Sequence, residues 1–427
     1  MKITGNVKAD PILFDPSYTS AFGTLETAEL TPVFQGDFVY GLNTQIWNTP
    51  TVSGAGATVD TSVGRLRIQS GTSGSGYAYI TCKRILRYRA GQGIVVRMTP
   101  LFTQGVEGNV QYWGIGAITS NALSDGYFFG WNGGTFGIAH YNNGSLYRFY
   151  PQNEWDVDRC DGAFGSSFAW NPSLGSPVMI KYPYLGYGNI EFFVQNPTTG
   201  RWVLCHIIQY ANTTATTQLS NPSMQVIGFT LNSGNTANRI MYCASVGVFI
   251  SGERSFVGNP RWAADSAGLV SIGTGVKGIV AANENCLLNL RNCTTYNGVT
   301  NKGMMRLNSL SIGSSTGNAN VIIRLLINAT FSTTPVYTPI NGTTADNGVT
   351  LTAANSIASV DVAGTTITSL ANRGIYIFNM SLGASGSNVI DLEPFDLFIN
   401  PTEVLTISGQ SSTNANVTAS INWSEDI

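Results

Sequence analysis

The sequence predicts an all-β chain, with two β-sandwiches of jelly-roll or concanavalin-like type behind an extended N-terminal arm. Three observations carry this reading. Among 427 residues there are 48 glycines, and only 11% are charged. The polar share is therefore Asn, Ser and Thr, residues of tight turns. Two Asn/Gly turns, Asn132-Gly133-Gly134 and Asn142-Asn143-Gly144, bracket one strand length. That is the spacing of a three-stranded meander, because Asn and Gly accept positive φ cheaply. Finally, seven of the eight tryptophans lie at or before Trp262 and only Trp423 lies after it, which marks a change of domain.

Taken in order, residues 1–45 read as an attachment arm. Asp10-Pro11, Asp15-Pro16 and Thr31-Pro32 each disfavour helix at the residue before proline. Residues 46–262 read as the first, lectin-like sandwich. Its clearest pieces are the meander over 127–131, 135–141 and 145–150, and a hairpin from 189–194 through Asn196-Pro197-Thr198-Thr199-Gly200 into 201–210. Residues 263–276 read as a linker. Residues 277–427 read as the second sandwich, built on shorter aliphatic strands such as 321–327, 374–378 and 404–407. No segment carries a helical signal, and the two halves share no repeat.

A net charge of −2 supplies no field for nucleic acid. The opening residues lack the apolar core of a secretory signal, and no run of 18 apolar residues offers a membrane span. Neither nucleic acid nor membrane is an expected partner, and no cofactor is expected. Six scattered cysteines without CxxC spacing read as buried thiols, with a Cys286–Cys293 disulfide as the one pairing considered. Eight Asn-x-Ser/Thr sequons follow from the Asn/Thr-rich composition.

With only two histidines, His140 and His206, each in a predicted strand, a histidine-based triad or metal site lacks its inventory. A glycosidase needs two carboxylates projecting into one cleft, yet Glu191 stands alone on its predicted strand. Asp156-Val157-Asp158-Arg159-Cys160-Asp161-Gly162 is the densest acidic cluster. It reads either as a Ca²⁺ loop using Asp156, Asp158 and Asp161, or as a solvated turn with Arg159 compensating the acids. Lys83, Arg84, Arg87 and Arg89 form a basic cluster. It suits contact with an anion or a neighbouring subunit's acidic edge, or protection of a strand edge by charge. Trp131, Asn132, Tyr141 and Asn143 have the residue types of a glycan site, namely rings for stacking beside amides for hydrogen bonding. Aromatic residues in a sandwich also serve as core.

Several segments carry a resemblance: Arg84-Ile85-Leu86-Arg87-Tyr88-Arg89-Ala90-Gly91, Asp125-Gly126-Tyr127-Phe128-Phe129-Gly130-Trp131, Glu154-Trp155-Asp156-Val157-Asp158-Arg159, Tyr184-Leu185-Gly186-Tyr187-Gly188, Gln195-Asn196-Pro197-Thr198-Thr199-Gly200, Leu290-Arg291-Asn292-Cys293-Thr294-Thr295-Tyr296 and Asn400-Pro401-Thr402-Glu403-Val404. Together and in this order they resemble a family of virion structural proteins from tailed bacteriophages and large DNA viruses of algae and protists. The resemblance implies a non-catalytic fibre, spike or capsid-decorating subunit at the virion surface. Low charge, the extended arm and this resemblance together point to a homotrimer that joins other virion proteins through its arm, and the rings and amides above point to contact with host glycans. The resemblance brings no catalytic constellation. A lectin-like receptor-binding protein and a virion-associated glycoside hydrolase are the alternatives.

Overall fold

In the computed structural model, the described residues are 30–163, 165–252, 259–266, 276–281, 283–315, 320–340, 356–363 and 366–427. The chain divides into two compact units, Met1–Ser255 and Phe256–Ile427. Both are antiparallel and all-β. Among the described residues the only helical elements are three short 3₁₀ turns, the longest being Leu370–Arg373.

The first unit is a sandwich of an eight-stranded and a seven-stranded sheet. The seven-stranded sheet runs Ser145–Pro151, Thr135–Asn142, Ala122–Asn132, Asn109–Thr119, Gln225–Asn232, Tyr77–Thr81, Thr51–Ser53. The predicted meander forms one end of it. The other sheet runs Trp202–Ile208, Ile190–Gln195, Val178–Tyr182, Ile94–Phe102, Ile240–Ser251, Arg65–Gln69, Thr58–Ser62. Alternation decides the faces. Tyr127, Phe129 and Trp131 point between the sheets with Phe136 and Ile138, while Phe128 points out onto a smaller cluster with Tyr112 and Phe229. Each large side chain buried in the main core stabilises the fold by roughly 1.5–3 kcal/mol.

That outer face is built on glycine. The Phe128 ring lies over Gly116 and Gly126, and a Cβ on Gly126 (φ +136) would stand 2.3 Å from the Ile115 carbonyl oxygen. Gly126→Ala should therefore cost about 2–4 kcal/mol through strain and overpacking, read as a lower urea midpoint. An unchanged midpoint would show that the sheet can give way there.

The arm is shorter than the prolines imply. Leu30–Asp37 is a strand of the eight-stranded sheet, paired with Ile240–Ser251 from Leu30↔Ser251 to Asp37↔Ser245. Pro32 is tolerated because the register shifts between Pro32 and Phe34, where the ladder is interrupted anyway. Phe34 and Phe38 then pack on Trp47, with centroids 5.2 and 5.3 Å away. Residues 30–45 thus belong to the sandwich, and the rest of the predicted arm lies outside the described residues.

In the second unit, a six-stranded sheet has Ala415–Asp426 and Met304–Ser314 at its centre. It faces a seven-stranded sheet that includes Glu284–Asn292, Val404–Ser411, Val321–Ile327 and Ile375–Leu382. The core is aliphatic, around Leu288, Leu307, Ile323, Ile407 and Trp423. The predicted linker begins too early, because Arg261–Asp265 is an edge strand paired with Ala415–Asp426. Residues 267–275 lie outside the described residues.

The Cys286–Cys293 pairing fails on geometry. Cys286 is within Glu284–Asn292 and Cys293 follows its end. Seven extended residues separate them by roughly 23 Å, far beyond the Cα spacing of about 7 Å that a disulfide allows.

Candidate functional site

The four residues chosen for a glycan site do not meet. Trp131 pairs with Phe136 near one end of the Ala122–Asn132/Thr135–Asn142 hairpin, whereas Tyr141 pairs with Gly126 five residues away, roughly 17 Å along the strands. Trp131 is only 7% exposed and belongs to the core. It is no stacking platform, because the strand alternation turns it inward with Tyr127 and Phe129. Asn132 stays beside it at the far hairpin end. Tyr141 is half-buried on the outer face, its ring edge-on to Tyr112 and Phe128 at 6.0 and 6.1 Å. Asn143 is exposed, with φ +50 at the turn.

At the Tyr141–Asn143 end the structure assembles a tyrosine-lined site that local sequence patterns did not reveal. Tyr127 stacks on His140 at 4.8 Å and 23°. His140 in turn meets Tyr147 at 4.9 Å and Tyr210 at 5.9 Å. Tyr147 occupies the register shift between Leu146 and Arg148; this extra residue swings its ring toward His140 while leaving it 56% exposed. An aromatic column thus leads from the buried core to the surface.

Polar anchors fix the surrounding loop. Asp125, 3% exposed, accepts hydrogen bonds from the Ser220 amide (2.9 Å), the Ser220 hydroxyl (2.7 Å) and the Asn143 amide (3.4 Å). Asn142 Oδ1 accepts the Ser220 amide as well, at 3.0 Å. The Tyr127 hydroxyl donates to Gln218 Oε1 at 2.6 Å. His140 Nε2 lies 3.0 Å from the Gln218 carbonyl oxygen. A carbonyl only accepts, so Nε2 carries the proton and Nδ1 is left to accept from the Tyr210 hydroxyl at 3.4 Å. Burial lowers the His140 pKa to about 4, against smaller raising effects from the Gln218 carbonyl and Asp125. Burial likewise holds Tyr127 well above the ordinary tyrosine range. This end of the sandwich is therefore well hydrogen-bonded and uncharged at its aromatic centre, with Asn142, Asn143 and Ser220 beside it.

The acidic cluster is taken apart by the fold. Asp158 turns inward and accepts hydrogen bonds from the Cys160 amide (2.8 Å), the Ser166 hydroxyl (2.7 Å) and the Ser167 amide (2.8 Å). Burial works to raise its pKa, but the bonds from Ser167, Cys160 and Ser166 outweigh it and hold the carboxyl below its usual value. Asp156 instead faces His206, with Oδ1 2.8 Å from Nδ1, and also accepts the Ile207 amide at 3.0 Å. Asp161 closes a local turn onto the Ala163 amide. Asp156, Asp158 and Asp161 thus point to three different partners. Among the described residues, no group of three His, Cys, Asp or Glu is placed to hold a metal ion. The Ca²⁺ reading is corrected on that ground, and the solvated-turn reading fails for Asp158.

Lys83, Arg84, Arg87 and Arg89 are not on a strand edge. They lie half-buried on an irregular connection between Tyr77–Thr81 and Ile94–Phe102, held by a bridge between Leu86 and Met224. Each is already engaged within the chain. Glu191 sits opposite Lys181 in the ladder between Ile190–Gln195 and Val178–Tyr182. Burial raises its pKa and Lys181 pulls it down.

No family model matches the chain, and no curated protein matches it. Among solved structures the chain is similar in fold to the lectin UEA-II complexed with galactose, at 12% identity over 52% of this chain and 100% of that one, with a TM-score of 0.33. It is similar to the Ca²⁺/Man₃GlcNAc-bound exoplasmic/lumenal domain of VIP36, at 11% identity over 54% of this chain and 92% of that one, TM-score 0.34. The Emp47p carbohydrate recognition domain gives 11% identity, 53% and 98% coverage, and a TM-score of 0.33.

Proposed function

We propose that this chain is a non-catalytic structural subunit of a virus particle surface, a fibre, spike or capsid-decorating protein, whose first sandwich contacts host glycans at its tyrosine-lined end. The observation that carries the glycan contact is the Tyr147 ring. It is exposed and backed by His140, on the hairpin whose turn carries Asn142 and Asn143, and Asn142 in turn holds the Ser220 loop that Asp125 anchors. An aromatic face packs on the C–H face of a sugar while neighbouring amides and hydroxyls bond its hydroxyl groups. One further point favours binding without turnover. Glycoside hydrolysis needs two carboxylates free to face one cleft, whereas Asp125 and Asp158 are each taken up by main-chain amides and serine hydroxyls. Placement on a virion is supported by the family resemblance and by the low charge, which suits subunits packed side by side as a homotrimer.

The test is binding of the purified chain to host surface polysaccharides. Tyr147→Ala should weaken binding about tenfold or more, the loss of ~1.4 kcal/mol, without lowering the unfolding midpoint. Antibodies to the chain should decorate intact particles. Unchanged affinity in the variant, or release of reducing ends during a day's incubation, would overturn the reading.

A further inference from the structure

We propose that Cys160 and Cys205 are a disulfide-forming pair that covalently closes one edge of the first sandwich. Their sulfurs lie 3.4 Å apart, and both residues are completely buried. The two segments that carry them are already tied together: the Cys205 carbonyl oxygen accepts the amides of Val157 (3.2 Å) and Asp158 (3.1 Å). Cys160 is fixed in turn. Its amide donates to Asp158 Oδ1, and its carbonyl accepts from the Trp170 amide at 2.7 Å and from Gln152 Nε2 at 3.1 Å. Its φ of +48 is an uncommon conformation for a residue with a side chain. Cys205 occupies the register shift where Phe192↔His206 gives way to Phe193↔Leu204. Trp202–Ile208 is an edge strand of its sheet, so the bond would staple that edge to the segment 152–170.

Formation is a two-electron oxidation. Both thiols lose a proton, one sulfur displaces a thiolate from a small-molecule disulfide such as oxidised glutathione, and the second sulfur displaces the remaining glutathione. Two reduced thiols leave and one protein S–S bond is made. Burial, followed by the neighbouring Cys160, pushes the Cys205 thiol well above its ordinary pKa. The native pair should therefore react slowly, through opening of the 152–170 segment, and faster in sub-denaturing urea. The bond would be absent in a reducing cytoplasm and would form after release into an oxidising medium.

The test incubates the full chain with excess oxidised glutathione, alkylates remaining thiols in denaturant and maps peptides without reduction. The expected product is one linked pair, Cys160 with Cys205, two hydrogens lighter than the free thiols. Cys82 and Cys243, buried against main-chain groups rather than another thiol, should be alkylated. Linking positions 45 residues apart should raise the unfolding temperature by roughly 5–15 °C, a gain absent from Cys205→Ser. Since that variant could fail to fold, the map of the unaltered chain decides. Alkylation of both cysteines, glutathione retained on either, or linkage of either to another cysteine would overturn the proposal.

Discussion

Glu284→Ala should lower the unfolding temperature of the second unit by roughly 6–15 °C. Glu284 is buried on the strand Glu284–Asn292 and is met from three directions. Arg373 Nε donates to Oε2 at 2.5 Å, the Ser408 hydroxyl donates to Oε1 at 2.7 Å, and Arg324 Nη1 lies 3.4 Å from Oε1. Arg324 is itself buried, and its Nε and Nη1 make no hydrogen bond to the described residues, so its charge is compensated chiefly by Coulomb attraction to Glu284. Removing the carboxylate leaves a buried guanidinium uncompensated, a loss of about 3–5 kcal/mol. Glu284→Gln keeps the shape and part of the hydrogen bonding but not the charge, and should fall between the two. Calorimetry on the full chain reads the result. A midpoint within about one degree of wild type would mean that the pair is solvated in solution.

Acid should weaken the first sandwich between pH 6.5 and 4. Burial depresses His140 to about 4 in the folded chain, so through this window the unfolded chain binds a proton that the folded one refuses. Stability from this residue is complete above pH 6.5 and is lost as pH falls toward 4, amounting to about 3 kcal/mol. His206 acts in the same direction, its pKa lowered first by burial and only partly restored by Asp156. Glu191 acts in the opposite sense. Its raised pKa makes the protonated folded form relatively favourable, a contribution lost as pH rises through its folded value. Urea midpoints at pH 7, 5.5 and 4.5 measure the sum. His140→Gln should flatten the slope, and a slope that this substitution leaves unchanged would rule out a buried neutral His140.

The fold was legible where one strand carries its own signal. The Asn/Gly turns on either side of Thr135–Asn142 announce a meander by themselves, and the aliphatic runs at Val321–Ile327 and Val404–Ser411 announce the second sandwich. Leu30–Asp37 was hidden because its pairing partner is more than 200 residues away, and prolines near it imitate an extended arm outside the sheets. The candidate site was half legible. Asn143 and Tyr141 were readable as a hairpin end rich in amide and ring. Tyr147 was not, because a register shift rather than alternation sets its direction. Asp125 and Ser220, 95 positions apart, meet only through tertiary structure. Residue type alone could not distinguish Trp131 in the core from a ring at the surface.

The pairing of Leu30–Asp37 with Ile240–Ser251 also sets a timetable for synthesis. Leu30–Asp37 leaves the ribosome well before its neighbour, which does not exist until residue 251 has been added, some 214 positions after Asp37. At ribosomal speeds this is roughly 10–40 s. Until then Phe34, Phe38 and Trp47 lack their final setting, and the side of Ile240–Ser251 that will receive them has not been made. The nascent chain must therefore spend that interval with an unpaired strand and an aromatic cluster available to chaperones or to neighbouring chains on the same message. Slowing translation just before residue 240 should lengthen this exposure and increase aggregation, whereas slowing it after residue 300 should leave the first sandwich time to close.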